Sequence, residues 1–192
     1  MQKTVQKEKS YILFFVLFLL LCAICIFIYS KNQNLENKNQ SISTDFDNPK
    51  TITLSSTLPI SDELGKKLDG KGTEDGIQGY TIFNITNNTN AEVDYQVCLS
   101  KKEVEQEIRE NYIKLYLTDE ADKPMEEFKQ NAIPTYSDLL PLDDSSDLVL
   151  LHEGTLSKKE KRTLVLRSWL SDSYTVSNEK YNFTFDVVVK TK

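Results

Sequence analysis

The chain is poor in the residues that most often announce chemistry. Its 192 residues hold one histidine, one tryptophan, three cysteines and six glycines. A zinc hydrolase gathers two or three imidazoles around its metal, so a lone His152 excludes an HExxH protease. No GxSxG elbow accompanies that histidine, and the Ser–His–Asp reading has no support. Cys22 and Cys25 have CxxC spacing but sit inside an apolar run, where they read as small apolar side chains. Cys98 is the one cysteine outside that run, so no intrachain disulfide can staple the fold. The net charge is −6, which argues against nucleic acid, whose phosphates would be repelled. GKKLDGKG at 65–72 falls one residue short of a phosphate loop, with glycine where the Mg²⁺-binding hydroxyl belongs. Asp69, Glu74 and Asp75 cluster in the glycine-rich loop 65–79, but their spacing misses the EF-hand pattern. The carboxylate pairs Glu126-Glu127 and Asp143-Asp144 are ordinary in an acidic chain. The expectation is no catalytic residue, no cofactor and no metal.

What is present begins with Tyr11 to Tyr29, a run without charge, proline or glycine. As a helix it spans roughly 28 Å, close to a bilayer's hydrocarbon core. Lys3, Lys7 and Lys9 precede it, and no small-x-small cleavage site follows. The positive-inside bias predicts a cytoplasmic N-terminus. The expected organisation is a cytoplasmic tail at 1–10, a transmembrane helix at 11–29 held by the lipid bilayer, a flexible polar stalk at 30–50, and an extracytoplasmic domain at 51–192.

Beyond the stalk the apolar period becomes two, the signature of half-buried strands. Strands are predicted from Thr51 to near Pro59 and at 80–87, 93–99, 113–117, 148–153, 162–170 and 181–190. The first two long runs flank Asn87-Asn88-Thr89-Asn90 and predict an antiparallel hairpin. Ser61-Asp62-Glu63 opens a short helical turn. Ser100-Lys101-Lys102-Glu103 has capping-box spacing, with Val104 and Ile108 one turn apart, and predicts a helix over 101–110. Trp169 reads as a core residue and Arg167 as its surface-reaching neighbour. The fold class is therefore mainly β: a two-sheet antiparallel sandwich, immunoglobulin-like or jelly-roll, with one or two short helices.

Tyr112, Lys114 and Tyr116 share the strand face opposite Ile113, Leu115 and Leu117. An exposed aromatic pair of this kind can stack on sugar rings, which makes these three residues a possible interaction surface. Cys98 with His152 could form a thiol nucleophile pair; an inert half-buried thiol is the plainer reading.

YTIFNITNNTNAEVDYQVCL, GTLSKKEKRTLVLRSWL and the closing NFTFDVVV together resemble a recurring pattern of bacterial membrane-anchored or secreted β-sandwich surface proteins, distantly similar to the TasA/camelysin group. The resemblance implies a surface protein, and TasA-like proteins are matrix fibre subunits. The leading expectation is a non-enzymatic, single-pass protein of the cell surface, presenting its sandwich to an envelope protein or glycan. The alternatives are a subunit or accessory of an extracellular fibre assembling by edge-strand addition, and a cryptic hydrolase.

Overall fold

Residues 24, 41–46, 49–56, 58–70, 79–130, 132–143 and 147–192 are described by a computed structural model. The chain divides into two compact units, Met1–Gln40 and Ser41–Lys192. Among the described residues, the second unit holds eight strands in two antiparallel sheets. They are β1 (Ile42–Thr44), β2 (Lys50–Ser55), β3 (Gly79–Asn87), β4 (Val93–Lys102), β5 (Ile113–Asp119), β6 (Leu148–Leu156), β7 (Lys161–Leu170) and β8 (Asn182–Thr191). Sheet A runs β1-β3-β7-β5 and sheet B runs β2-β8-β4-β6.

The transmembrane expectation is corrected here. Among the described residues no helix is long and apolar enough to cross a membrane. Helix α1 (Asp62–Gly65) has four residues, about 6 Å of rise against the roughly 30 Å of a hydrocarbon core. The proposed span 11–29 lies outside the described residues except for Ile24, as does the tail 1–10. The single-pass topology, the bilayer as partner, the cytoplasmic N-terminus and the extracytoplasmic placement are therefore set aside, and the leading functional reading falls with them. The supposed stalk also ends early. Ile42 is buried and pairs with Asn87, so the folded unit starts at Ser41.

The core forms where the inward faces meet. Sheet A contributes Phe83, Ile85, Leu115, Leu117, Leu164 and Leu166; sheet B contributes Leu54, Tyr95, Leu99, Phe183, Phe185 and Val187. All are fully buried. A smaller apolar cluster covers the outer face of sheet A, where Trp169 packs with Ile60 and Ile133. Helix α1 rests on that indole so closely that a Cβ at Gly65 would lie 2.2 Å from the ring. Arg167 does not reach the surface. It is buried beside Trp169, donating from Nε to Leu68 O (2.8 Å), from Nη1 to Thr118 Oγ1 (3.0 Å) and from Nη2 to Asp122 Oδ1 (2.5 Å).

Two sequence expectations fail for one reason, tertiary pairing. β3 and β4 form no hairpin; they lie in opposite sheets, so the Asn-rich turn crosses the sandwich. β6 to β7 crosses in the same way. Asn87 joins the two crossings. It is fully buried, and its amide donates to Ala91 O (2.7 Å), Ser157 O (2.9 Å) and Leu156 O (3.2 Å). The 101–110 helix does not form either. β4 continues to Lys102 because Ser100, Lys101 and Lys102 pair with Asp186, Phe185 and Thr184 of β8. The chain then keeps to β8, with Ile108 N–H donating to Asn182 O at 2.9 Å. Sheet hydrogen bonds and burial of Ile108 outweigh the few tenths of a kcal/mol per residue by which helix propensity would favour the local alternative.

Candidate functional site

The two flanks of the sandwich differ. On one, the connection between β5 and β6 folds back over both edge strands. Met125 N–H donates to Leu117 O (3.0 Å), and Leu115 N–H donates to Pro134 O (3.1 Å). Farther along, Leu142 N–H donates to Leu148 O (2.8 Å) and Leu150 N–H donates to Leu140 O (2.9 Å). This flank is closed by main-chain bonds, as edge strands usually are.

His152 stands behind that cover. The register of β4 and β6 slips between Val97 and Cys98, leaving an extra residue in β6 at Leu151. Such a bulge re-aims the side chains beside it. His152 thus pairs with Val97 and faces inward, while Leu151 also enters the core. The imidazole is buried between two partners. Its Nδ1 lies 3.0 Å from both carboxylate oxygens of Glu127, and its Nε2 lies 3.2 Å from the Tyr95 hydroxyl. A carboxylate only accepts, so Nδ1 carries the proton. Arg162 Nη1 donates to the Tyr95 oxygen at 3.4 Å, and Arg162 is itself paired with Glu160 at 2.6 Å. The Tyr95 hydroxyl keeps a hydrogen that it can offer to Nε2, which links Arg162, Tyr95, His152 and Glu127 in one chain of contacts. Burial pushes the Tyr95 hydroxyl above its ordinary value, with Arg162 pulling the other way. Tyr95 therefore stays protonated and able to donate.

Beside this chain lies a pocket of about 650 Å³. Phe128, Ile133, Leu139, Leu140, Leu150 and Leu151 line it, together with Glu127 and His152. Its size falls within the range of small-molecule sites, roughly 300–1,000 Å³. Asp138 also lines it, but that carboxylate accepts from Thr135 N–H (2.7 Å) and Thr135 Oγ1 (2.8 Å) in a capping box, which holds it below the usual carboxylate range.

The residues singled out from the sequence fall elsewhere. Lys114 and Tyr116 lie on β5, Tyr112 ends the 3-10 turn Glu110–Tyr112 just before it, and all three are half-buried. Tyr112 meets Tyr174 edge-on at 5.2 Å, Tyr116 meets Phe128 at 6.2 Å, and Lys114 Nζ donates to Ile133 O at 3.0 Å. Cys98 and His152 do not come together. The strand pleat turns Cys98 to the outer face of sheet B, where it is fully covered and burial pushes its thiol upward. Of the loop acids, Glu74 and Asp75 lie outside the described residues, as do Lys71, Gly72 and Asp144. Among the described residues no group of three or more His, Cys, Asp or Glu could hold a metal ion. Glu127, Tyr95 and Arg162 carried no signal in the sequence. Each comes from a different segment, and only the sandwich brings them to His152.

The opposite flank is open among the described residues. Ser56 N–H donates to Tyr181 O, so by antiparallel alternation Ile52 and Leu54 exchange bonds with β8. Thr51, Thr53 and Ser55 then turn their N–H and C=O groups outward. No described strand pairs with that side of β2. On the same flank β1 covers only Ile85–Asn87 of β3, and Asp45 takes the Asn84 N–H at 2.8 Å. Tyr80 and Ile82 pair with β7 on one side and have no described strand on the other, and the Ile82 side chain is exposed. The two open edges adjoin, since a Cβ on Gly79 would touch Ile52 at 3.1 Å.

No family model, curated protein or solved structure matches this chain, and the TasA/camelysin resemblance rests on the quoted residues alone.

Proposed function

We propose that this protein is a non-enzymatic assembly subunit that accepts an extended segment of another chain along its open flank, with further copies of the chain building a fibre. The observation that carries the reading is the asymmetry of the edges. One flank is sealed by main-chain bonds from 123–142, whereas the outward groups of Thr51, Thr53 and Ser55 have no described strand beside them. A row of such groups is a template for strand addition, in which backbone hydrogen bonds supply affinity and alternate side chains supply specificity. The resemblance to TasA-like fibre subunits points the same way.

Proline at position 53 tests this directly. The Thr53 N–H faces away from β8, so Thr53→Pro removes an outward donor without breaking an internal ladder bond. The full-length chain should associate with rising concentration in sedimentation velocity. T53P should remain smaller at the same concentrations, and T184A, altered on the neighbouring strand, should behave as wild type. A wild type that stays monomeric throughout, or a T53P that associates equally well, refutes the reading.

A further inference from the structure

We infer that the pocket at His152 is a binding site for a small organic amine: an apolar body ending in an ammonium group. This inference is independent of the open flank, because the pocket lies on the sealed one.

Among the described residues, Phe128, Ile133, Leu139, Leu140, Leu150 and Leu151 line a solvent-open groove of about 650 Å³. Its mainly apolar lining with a few polar groups is the usual make-up of a small-molecule site. Leu140 at its rim is 75% exposed, the most exposed large apolar side chain among those described. An apolar ligand body would cover it.

Charge then selects the head group. Among the described residues, the carboxylates lining the pocket are Glu127 and Asp138, and no lysine or arginine lines it. Asp138 is committed to Thr135. Among the described residues Glu127 is held by one donor, Nδ1 of His152, yet a carboxylate has lone pairs for about four. Its side chain is 41% exposed, so it can accept again without breaking the first bond. His152 holds Glu127 in place through Nδ1. An ammonium donates to Glu127 and is attracted by both acids. A carboxylate ligand of the same shape is repelled, and an alcohol gains a hydrogen bond without the charge.

Isothermal titration of the full-length chain with 2-phenylethylamine, 3-phenylpropionate and 2-phenylethanol tests the assignment. The amine should bind saturably, with the acid and the alcohol about tenfold weaker or worse, as expected when a charge-assisted hydrogen bond is lost. Glu127→Gln preserves an acceptor for His152 Nδ1–H, so the fold should survive, which circular dichroism checks. It should weaken the amine about tenfold or more and narrow its advantage over the alcohol. Ala132→Trp, at an exposed position on the lining, should weaken both amine and alcohol by filling the pocket. The inference is overturned if folded wild-type protein does not bind the amine saturably, if the three ligands bind alike, or if the E127Q protein binds the amine as wild type does.

Discussion

Replacing Asn87 tests how the two sheets are joined. Its side-chain amide donates to carbonyls of Ala91, Ser157 and Leu156, and its Oδ1 accepts from Thr89 N–H and Thr89 Oγ1 at 2.8 Å each. Asn87→Ala removes all of these at a position with no exposed surface. A hydrogen bond contributes about 0.5–1.5 kcal/mol net, and a buried group left without a partner costs about 1–3 kcal/mol. Ala91 and Ser157 are exposed and can be rehydrated, whereas Leu156 is buried. Two amide hydrogens and one orphaned carbonyl put the loss at about 2–6 kcal/mol, a large part of the roughly 5–15 kcal/mol that holds a domain together. Asn87→Asp sharpens the test, because a carboxylate would face carbonyl oxygens. Only its protonated form can donate, so its folded pKa must rise above the unfolded aspartate value of about 3.9. The variant's stability is then fully present below that value and falls as pH rises through the folded one. Urea unfolding of the full-length chain should place N87D below N87A at pH 7, with the gap closing near pH 4. A loss below about 1 kcal/mol for N87A, or a pH-independent gap, would refute the account of the crossing.

Three further outcomes are expected. Phe185→Ala should cost about 3–5 kcal/mol in the same assay, because the ring is fully buried against Phe183 and Tyr136; Thr184→Ala on the outer face should cost under about 1 kcal/mol. Asp186 is pushed up by burial, but the Lys102 ammonium at 2.7 Å and the Thr51 hydroxyl at 2.6 Å outweigh this and hold it below its usual value. Its contribution is therefore present above the unfolded aspartate value and lost as pH falls through the lower folded value, so the stability gap between wild type and D186N should shrink on acidification. Gly65→Ala should displace the indole of Trp169, destabilise the protein by about 1–3 kcal/mol and shift its fluorescence, since the chain has one tryptophan.

The sequence by itself determined seven of the eight described strands and most of their inward faces, but it placed β1 in a stalk and the end of β4 in a helix. Along β8, Phe183, Phe185, Val187 and Val189 are buried as their alternation required, because a pleat puts every second side chain on one face whatever lies beside it. Partner choice is a different matter. An Asn-rich turn between two alternating runs is equally consistent with one sheet or two. Asn87 takes the second because its buried amide is satisfied only where the β6–β7 crossing supplies Leu156 and Ser157. The helical spacing at 101–110 was a genuine local preference that pairing with β8 overrode. The pocket was the least legible feature. Glu127 is 25 residues from His152 in sequence, and the bulge that turns His152 inward has no residue signature. Alternation is a local property and can be read from neighbours in the chain; partnership and cavities arise from segments far apart, and only their packing together decides them.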